Sequence, residues 1–286
     1  MQISISGSTG FIGSAIKRHF IGSGWIINEI TRQSLALTGD EFLKKKIEGS
    51  DVIINLAGAP IQKRWTAAYK NEILQSRVIT TKKIVEAILQ SEKKPVVFIS
   101  ASAIGIYDSE NNHSEESLFL SGDFLGKVCR EWEETAEKAQ NVTRLVILRL
   151  GIVLGKDGGM LHKLHPLFSK GLGGKIGNGS QIMSWIHISD LLTAVSFIIE
   201  NPDITGIVNA VSPGPVSNEH FTEVFGKILI QPAYFRIPVF GLKAVYGEAA
   251  QMLATGQTVI PQKLMNNGFE FKFPTIEKAL INLYKS

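Results

Sequence analysis

Residues 1–13 read MQISISGSTGFIG, and no other stretch constrains the chain as tightly. Ile3 and Ile5 belong to a short apolar run that feeds Gly7-Ser8-Thr9-Gly10-Phe11-Ile12-Gly13. A helical pattern with Ala15, Ile16, His19 and Phe20 begins directly after it. Strand, glycine turn and helix in that order form a cradle for a pyrophosphate. Gly7 permits the tight turn, Gly10 lets the backbone approach phosphate oxygens with no Cβ between, and Gly13 lets the helix pack closely on the strand. The helix N-terminus adds open N–H groups and the positive end of its dipole. The stretch predicts a dinucleotide site contacted by Gly7, Thr9, Gly10, Phe11, Ile12 and Gly13. A glycine-rich turn without a ligand is the alternative.

Outward from this turn, strand-like and helix-like segments alternate. Residues 25–31 (WIINEIT), 51–57 (DVIINLA), 95–100 (PVVFIS) and 143–149 (TRLVILR) are nearly continuous Val/Ile/Leu runs, as strands buried on both faces of a parallel sheet require. Helical patterns over 63–91, with Ile73, Leu74, Ile79 and Ile84 on one stripe, and over 121–139 separate the later ones. The alternation predicts an α/β protein, a Rossmann doubly wound parallel sheet with right-handed crossovers. Beyond residue 150 the texture changes to a glycine-rich stretch over 155–185 without clean alternation. Residues 187–211 then read as a helix plus one more strand (IVNAV, 207–211), and short helices follow the turn Ser212-Pro213-Gly214-Pro215. The expected layout is a cofactor domain of 1–154 plus 187–212. A smaller, mostly helical substrate-side lobe of 155–186 plus 213–286 covers the strand C-termini.

At 286 residues, 44% hydrophobic and 20% charged, the chain has the composition of an ordinary globular protein. Its net charge of +4 is spread out, with short clusters only at Lys44-Lys45-Lys46 and Lys93-Lys94, so nucleic acid is not an expected partner. One cysteine, Cys129, excludes an internal disulfide and fits a reducing cytosol. The N-terminus runs straight into a strand and lacks the layout of a signal peptide, and no apolar run approaches a membrane span. A cytoplasmic location is expected.

The end of the second strand discriminates between nicotinamide dinucleotides. An acidic residue there hydrogen-bonds the ribose 2′-hydroxyl of NAD, whereas arginine pairs with the 2′-phosphate of NADP. The strand closes Ile30-Thr31-Arg32, while Glu29 lies inside it, so Thr31 and Arg32 predict NADP(H). Leu56-Ala57-Gly58 after the third strand is small enough for a cofactor to pass. Glu72 and Arg77 on the next helix either flank the phosphates or riboses or form an ordinary surface pair.

These motifs, with Phe98-Ile99-Ser100-Ala101-Ser102 followed by Tyr107 and with Trp185-Ile186-His187-Ile188-Ser189-Asp190, resemble the extended short-chain dehydrogenase/reductase superfamily of nucleotide-sugar epimerases and dehydratases. Ser100 through Tyr107, Asp123-Phe124-Leu125, Cys129 through Glu133 and Gly158-Gly159-Met160-Leu161 resemble an atypical subgroup, the epimerase family proteins. Gly247-Glu248, Gly256-Gln257, Pro261 and Asn267 through Phe271 resemble its uncharacterised C-terminal domain. The resemblance covers essentially the whole chain. It implies an NADP-binding atypical reductase or epimerase-like enzyme acting on an unidentified carbonyl or alcohol.

The superfamily uses a Tyr-x-x-x-Lys pair in which the ammonium lowers the phenol pKa. Here the expected helix begins Asp123-Phe124-Leu125-Gly126-Lys127-Val128. If Lys127 is the lysine, Asp123 holds the tyrosine position; if Phe124 is at the tyrosine position, Val128 is at the lysine position. The candidate catalytic groups that remain are the Ser102 hydroxyl, the Tyr107 phenol and Lys127 as a holder of the nicotinamide ribose, each with a structural alternative. Asp123 reads as a helix N-cap. His187 reads as a buried structural histidine and Arg149 as a structural pair. His162 and His165 have no further ligand at suitable spacing, so no metal is expected. Lys175 or Gln181 in the glycine-rich loop are candidates for an anionic substrate. An NADP(H)-binding sensor that has lost the chemistry is the alternative function. A monomer, or a homodimer through the two long helices, is the expected assembly.

Overall fold

The computed structural model describes residues 1–36 and 40–285. Six parallel strands form the central sheet: β1 (Gln2–Ser6), β2 (Ile26–Ile30), β3 (Val52–Asn55), β4 (Val97–Ala103), β5 (Arg144–Leu150) and β6 (Gly206–Ala210). Their spatial order is β6-β5-β4-β3-β1-β2, with every neighbouring pair parallel. The chain therefore moves outward in opposite directions from β1, to β2 on one side and to β3 on the other. Such a reversal leaves a crevice beyond the strand C-termini. The residues bordering that crevice are those after Ser6, after Ile30 and after Asn55.

Side-chain alternation along these apolar strands makes two cores. Ile3, Ile5, Val52, Ile54, Val97, Ile99, Val146 and Leu148 face α1 (Phe11–Gly22) and α7 (Ile188–Glu200). The intervening Ile53, Phe98, Leu145 and Ile147 face the other way, toward α3 (Asp40–Glu48), α4 (Ala67–Gln90) and α5 (Phe124–Glu137). The short α2 (Arg32–Ala36) leads from β2 toward α3. Within α4, Ile73 and Ile84 are fully buried, but Ile79 is 48% exposed. The expected stripe holds for the first two only, because six residues at 100° each carry Ile79 off the face that Ile73 opens.

The strand expected at 207–211 does return to the sheet as β6, beside β5. The 155–185 stretch contains a helix that glycine content had obscured, α6 (Gly159–Phe168). Its Leu161 and Phe168 join Trp185, residues of α8 (Asn218–Leu229) and residues of the last helix (Ile276–Tyr284) in a separate core. The glycine-rich loop is pinned rather than open: Gly174–Ile176 pairs in parallel with Phe235–Ile237. Among the described residues no helix is long and apolar enough to cross a membrane.

Candidate functional site: the dinucleotide crevice

The glycine turn divides its labour. Gly7 has φ +73°, and a Cβ there would stand 2.8 Å from the Leu56 carbonyl oxygen on the neighbouring strand end. A Cβ on Gly13 would lie 2.2 Å from the Gly7 oxygen. Both glycines thus serve the fold. Gly10 differs: it is exposed, and a Cβ there would meet only the Gly7 oxygen, at 3.4 Å. Its missing side chain keeps the crevice open. Gly10 also caps α1 without a side-chain hydrogen bond, and the first turn of α1 holds no acidic residue. The helix end accordingly presents donors and a positive dipole to the crevice, as an anion site does. The Phe11 ring lies against the turn before α6, where a Cβ on Gly158 would come within 2.6 Å of it. Ile12 packs against the sheet core.

At the tip of β2, Thr31 and Ser34 cap α2 reciprocally. The Ser34 amide donates to Thr31 Oγ1 at 3.2 Å and the Thr31 amide to Ser34 Oγ at 2.9 Å. Arg32 follows as the first residue of α2, exposed and without an internal ion pair among the described residues. Glu29 has turned from the strand to the glycine turn, accepting from Ser8 Oγ and from Lys17 Nζ, each at 2.5 Å.

Beyond β3, the chain Leu56-Ala57-Gly58 passes against Arg77. The Arg77 guanidinium donates to the carbonyls of Ala59 at 3.1 Å and Ile73 at 2.9 Å, and lies over the Trp132 ring at 5.2 Å. A Cβ on Gly58 would be 2.8 Å from its Cζ. Arg77 thus shapes the wall of the crevice. Glu72 is exposed and forms no pair with it, so the two do not make the surface pair. A residue the motif reading missed is Asn55. It accepts from Ser6 Oγ at 2.5 Å and donates to Thr81 Oγ1 at 2.8 Å, tying the ends of β1 and β3 to α4. Its signal is visible in hindsight as a lone amide in an otherwise apolar strand.

The groups expected to do chemistry are not assembled in an open pocket. Ser102 is 1% exposed, and its hydroxyl donates to Glu133 Oε1 at 2.5 Å. Tyr107 is fully buried, accepting from Arg149 Nη1 at 2.8 Å and donating to Asn209 Oδ1 at 2.9 Å. Burial pushes the Tyr107 phenol above its ordinary pKa, against the pull of Arg149. Lys127 starts the solvent stripe of α5, with Glu131 and Glu134, while Val128, Cys129, Trp132 and Glu133 face inward. The helical register therefore turns the lysine away from the strand that carries Ser102. Helix α5 contains no tyrosine, and Asp123 caps it by accepting from the Gly126 amide at 2.8 Å. Burial pushes the Cys129 thiol up to about 11, which leaves it protonated and unreactive. Glu133, which ties Ser102 to Arg149, is the second residue missed, because a carboxylate in an amphipathic helix looks like surface until its partners are known.

Other candidates are engaged elsewhere. Lys175 pairs with Glu219, and the Gln181 amide donates to the carbonyls of Ile176 and Leu253. His165 stacks on Tyr284. His187 caps α7 by accepting from the Ser189 amide at 3.0 Å. The 58–66 segment reaches α6 and the C-terminal part of the chain. Arg64 donates to the Ala244 carbonyl at 2.7 Å, and Gln62 accepts from Lys163 at 2.5 Å. One turn into α4, Lys70 pairs with Glu248.

A doubly wound sheet with an uncapped helix end and a glycine cradle at its switch point defines a dinucleotide-binding class of protein. Sequence comparison specifies it further. The chain belongs to the NAD dependent epimerase/dehydratase family, whose profile matches residues 3–210, and a domain of unknown function (DUF1731) matches residues 237–283. The chain is 36% identical to the Arabidopsis thaliana epimerase family protein SDR39U1 homolog, named chloroplastic, over 98% of its own length and 86% of that protein. It is 34% identical to the mouse epimerase family protein SDR39U1 over 98% of both chains. The crystal structure of human epimerase family protein SDR39U1 (isoform 2), solved with NADPH, superimposes with a TM-score of 0.93 at 30% identity, covering all of both chains.

Proposed function

We propose that this chain is an NADP(H)-binding, atypical short-chain dehydrogenase/reductase acting on a small carbonyl or alcohol. The observation that carries the reading is the pairing of an open, uncapped α1 N-terminus at Gly10 with an exposed Arg32 just after β2 that has no ion pair among the described residues. The first suits a pyrophosphate and the second a 2′-phosphate, whose geometry matches the planar guanidinium fork. The NADPH in the human relative's crystal structure supports the same reading. Gly7 and Gly13 would shape the cradle, Gly10 would lie under the pyrophosphate, and Leu56, Ala57 and Gly58 would pass beside the cofactor with Arg77 behind them. When bound, NADPH supplies hydride. This chain's residues would orient the cofactor and exclude water from it.

A second reading has its own observation. Ser102 and Tyr107 are committed to a buried network, and α5 offers no phenol. An NADP(H)-binding sensor without proton-transfer machinery would look the same.

Isothermal titration with NADPH and with NADH tests the binding proposal. Preference for NADPH that falls at least ~10-fold in Arg32→Ala, the loss of about 1.4 kcal/mol, supports it. Absence of binding by either nucleotide overturns it. A screen of carbonyl substrates for NADPH oxidation then separates enzyme from sensor.

A further inference from the structure

Glu29 is an awkward residue to find in an NADP(H) site. It is the penultimate residue of β2, three positions before Arg32. A carboxylate near the β2 tip favours a ribose hydroxyl and repels a phosphate. Yet the carboxylate is not turned into the crevice as a bare charge. Lys17, in the second turn of α1, donates Nζ to Glu29 Oε1 at 2.5 Å. Ser8, inside the glycine turn, donates to Oε2 at 2.5 Å, and Lys46 donates to the Glu29 backbone oxygen at 2.6 Å.

The Lys17 and Glu29 side chains are 36% and 33% exposed, so the pair lies outside the core, and the Ser8 hydrogen bond ties it to the glycine turn. Hydrogen bonds from Lys17 first and Ser8 second hold the Glu29 carboxyl below its ordinary pKa. The carboxylate is ionised, and an ammonium, not a proton, offsets its charge. Lys46 adds a more distant positive charge from α3, and Arg32 follows β2 as an exposed cation.

We propose that Lys17 is a specificity-determining residue for the cofactor. By clamping Glu29 against Ser8 it neutralises the carboxylate beside the β2 tip, and so leaves Arg32 able to select a 2′-phosphate over a 2′-hydroxyl. The inference rests on the NADP(H) reading above. Lys17 acts through Glu29 and is a positioning residue, without a bond of its own to the nucleotide.

The test is the ratio of NADH to NADPH dissociation constants in the full chain at low ionic strength. It is measured for wild type, Lys17→Met, Glu29→Gln and the double variant, with thermal melting as a check on folding. An uncompensated carboxylate near the end of β2 would repel a phosphate dianion bound by Arg32, and the expected result is a ~10-fold loss of NADPH preference in Lys17→Met. Removing the carboxylate as well restores the wild-type ratio, and Glu29→Gln alone holds or raises it. A ratio unchanged in Lys17→Met overturns the proposal. A double variant as unselective as Lys17→Met also overturns it, because Lys17 would then bind the phosphate directly. A wild-type protein that binds NADH as well as NADPH instead defeats the underlying cofactor reading, and this arm is scored before any variant. A purely structural role moves both dissociation constants together and leaves the ratio where it was.

Discussion

Glu133 and Arg149 meet through two parallel hydrogen bonds, Nε to Oε1 at 2.9 Å and Nη2 to Oε2 at 2.7 Å, with side chains 7% and 4% exposed. They join α5 to β5, and they recruit Ser102 and Tyr107, the two hydroxyls the sequence nominates for chemistry. Burial disfavours the guanidinium's charge, but the carboxylate outweighs it and the pKa of Arg149 rises.

Removing one partner leaves the other charged and buried. Arg149→Met should destabilise the fold by about 3–5 kcal/mol, whereas Glu133→Leu with Arg149→Met should recover much of that loss. Urea midpoints report both. A single variant as stable as wild type would show that the pair is solvated.

Tyr107→Phe removes a hydroxyl that serves Arg149 and Asn209. It should cost about 1–3 kcal/mol of stability, because buried groups lose a partner. Its NADPH affinity should stay within ~2-fold of wild type, a shift of only about 0.4 kcal/mol. If NADPH binding drops while stability holds, Tyr107 contacts the cofactor and the network reading of that residue is wrong.

The three glycines of the turn should separate by what each fails in. Gly13→Ala places a Cβ 2.2 Å from a backbone oxygen and should lower the melting temperature. Gly10→Ala, with its nearest neighbour at 3.4 Å, should fold normally yet bind NADPH more weakly. Nucleotide affinity unaffected in Gly10→Ala would move the pyrophosphate elsewhere.

His187 makes stability depend on pH. Burial first, then the charge of Lys272, lowers its pKa to about 4, so the folded ring is neutral where an unfolded one protonates near 6.5. Between these values the unfolded chain binds more protons, so the ring's contribution is complete above pH ~7 and is lost as pH falls from ~6.5 toward ~4. The full span is worth about 3 kcal/mol. Denaturant midpoints from pH 7.5 to 4.5 should fall more steeply in wild type than in His187→Gln; parallel curves would contradict the assignment.

The sequence by itself determined the parts of this protein whose cause is local. Glycines at 10 and 13, the nearly continuous apolar runs of β2 to β5, the Asp123 cap and the position of Arg32 directly after Thr31 are each legible within a few residues of themselves. Their structure can therefore be read from spacing. The tertiary structure decided everything that depends on which side chains meet across the fold. Nothing in the neighbourhood of Glu133 announces Arg149, 16 residues on, nor does Tyr107 announce Asn209, 102 residues on. Helical phase turned Lys127 and Ile79 to solvent, and Lys17 reached Glu29 only because α1 packs back over the sheet beside β2. Periodicity names the faces of an element. Long-range packing chooses what each face touches, and that choice made a buried structural network of Ser102 and Tyr107.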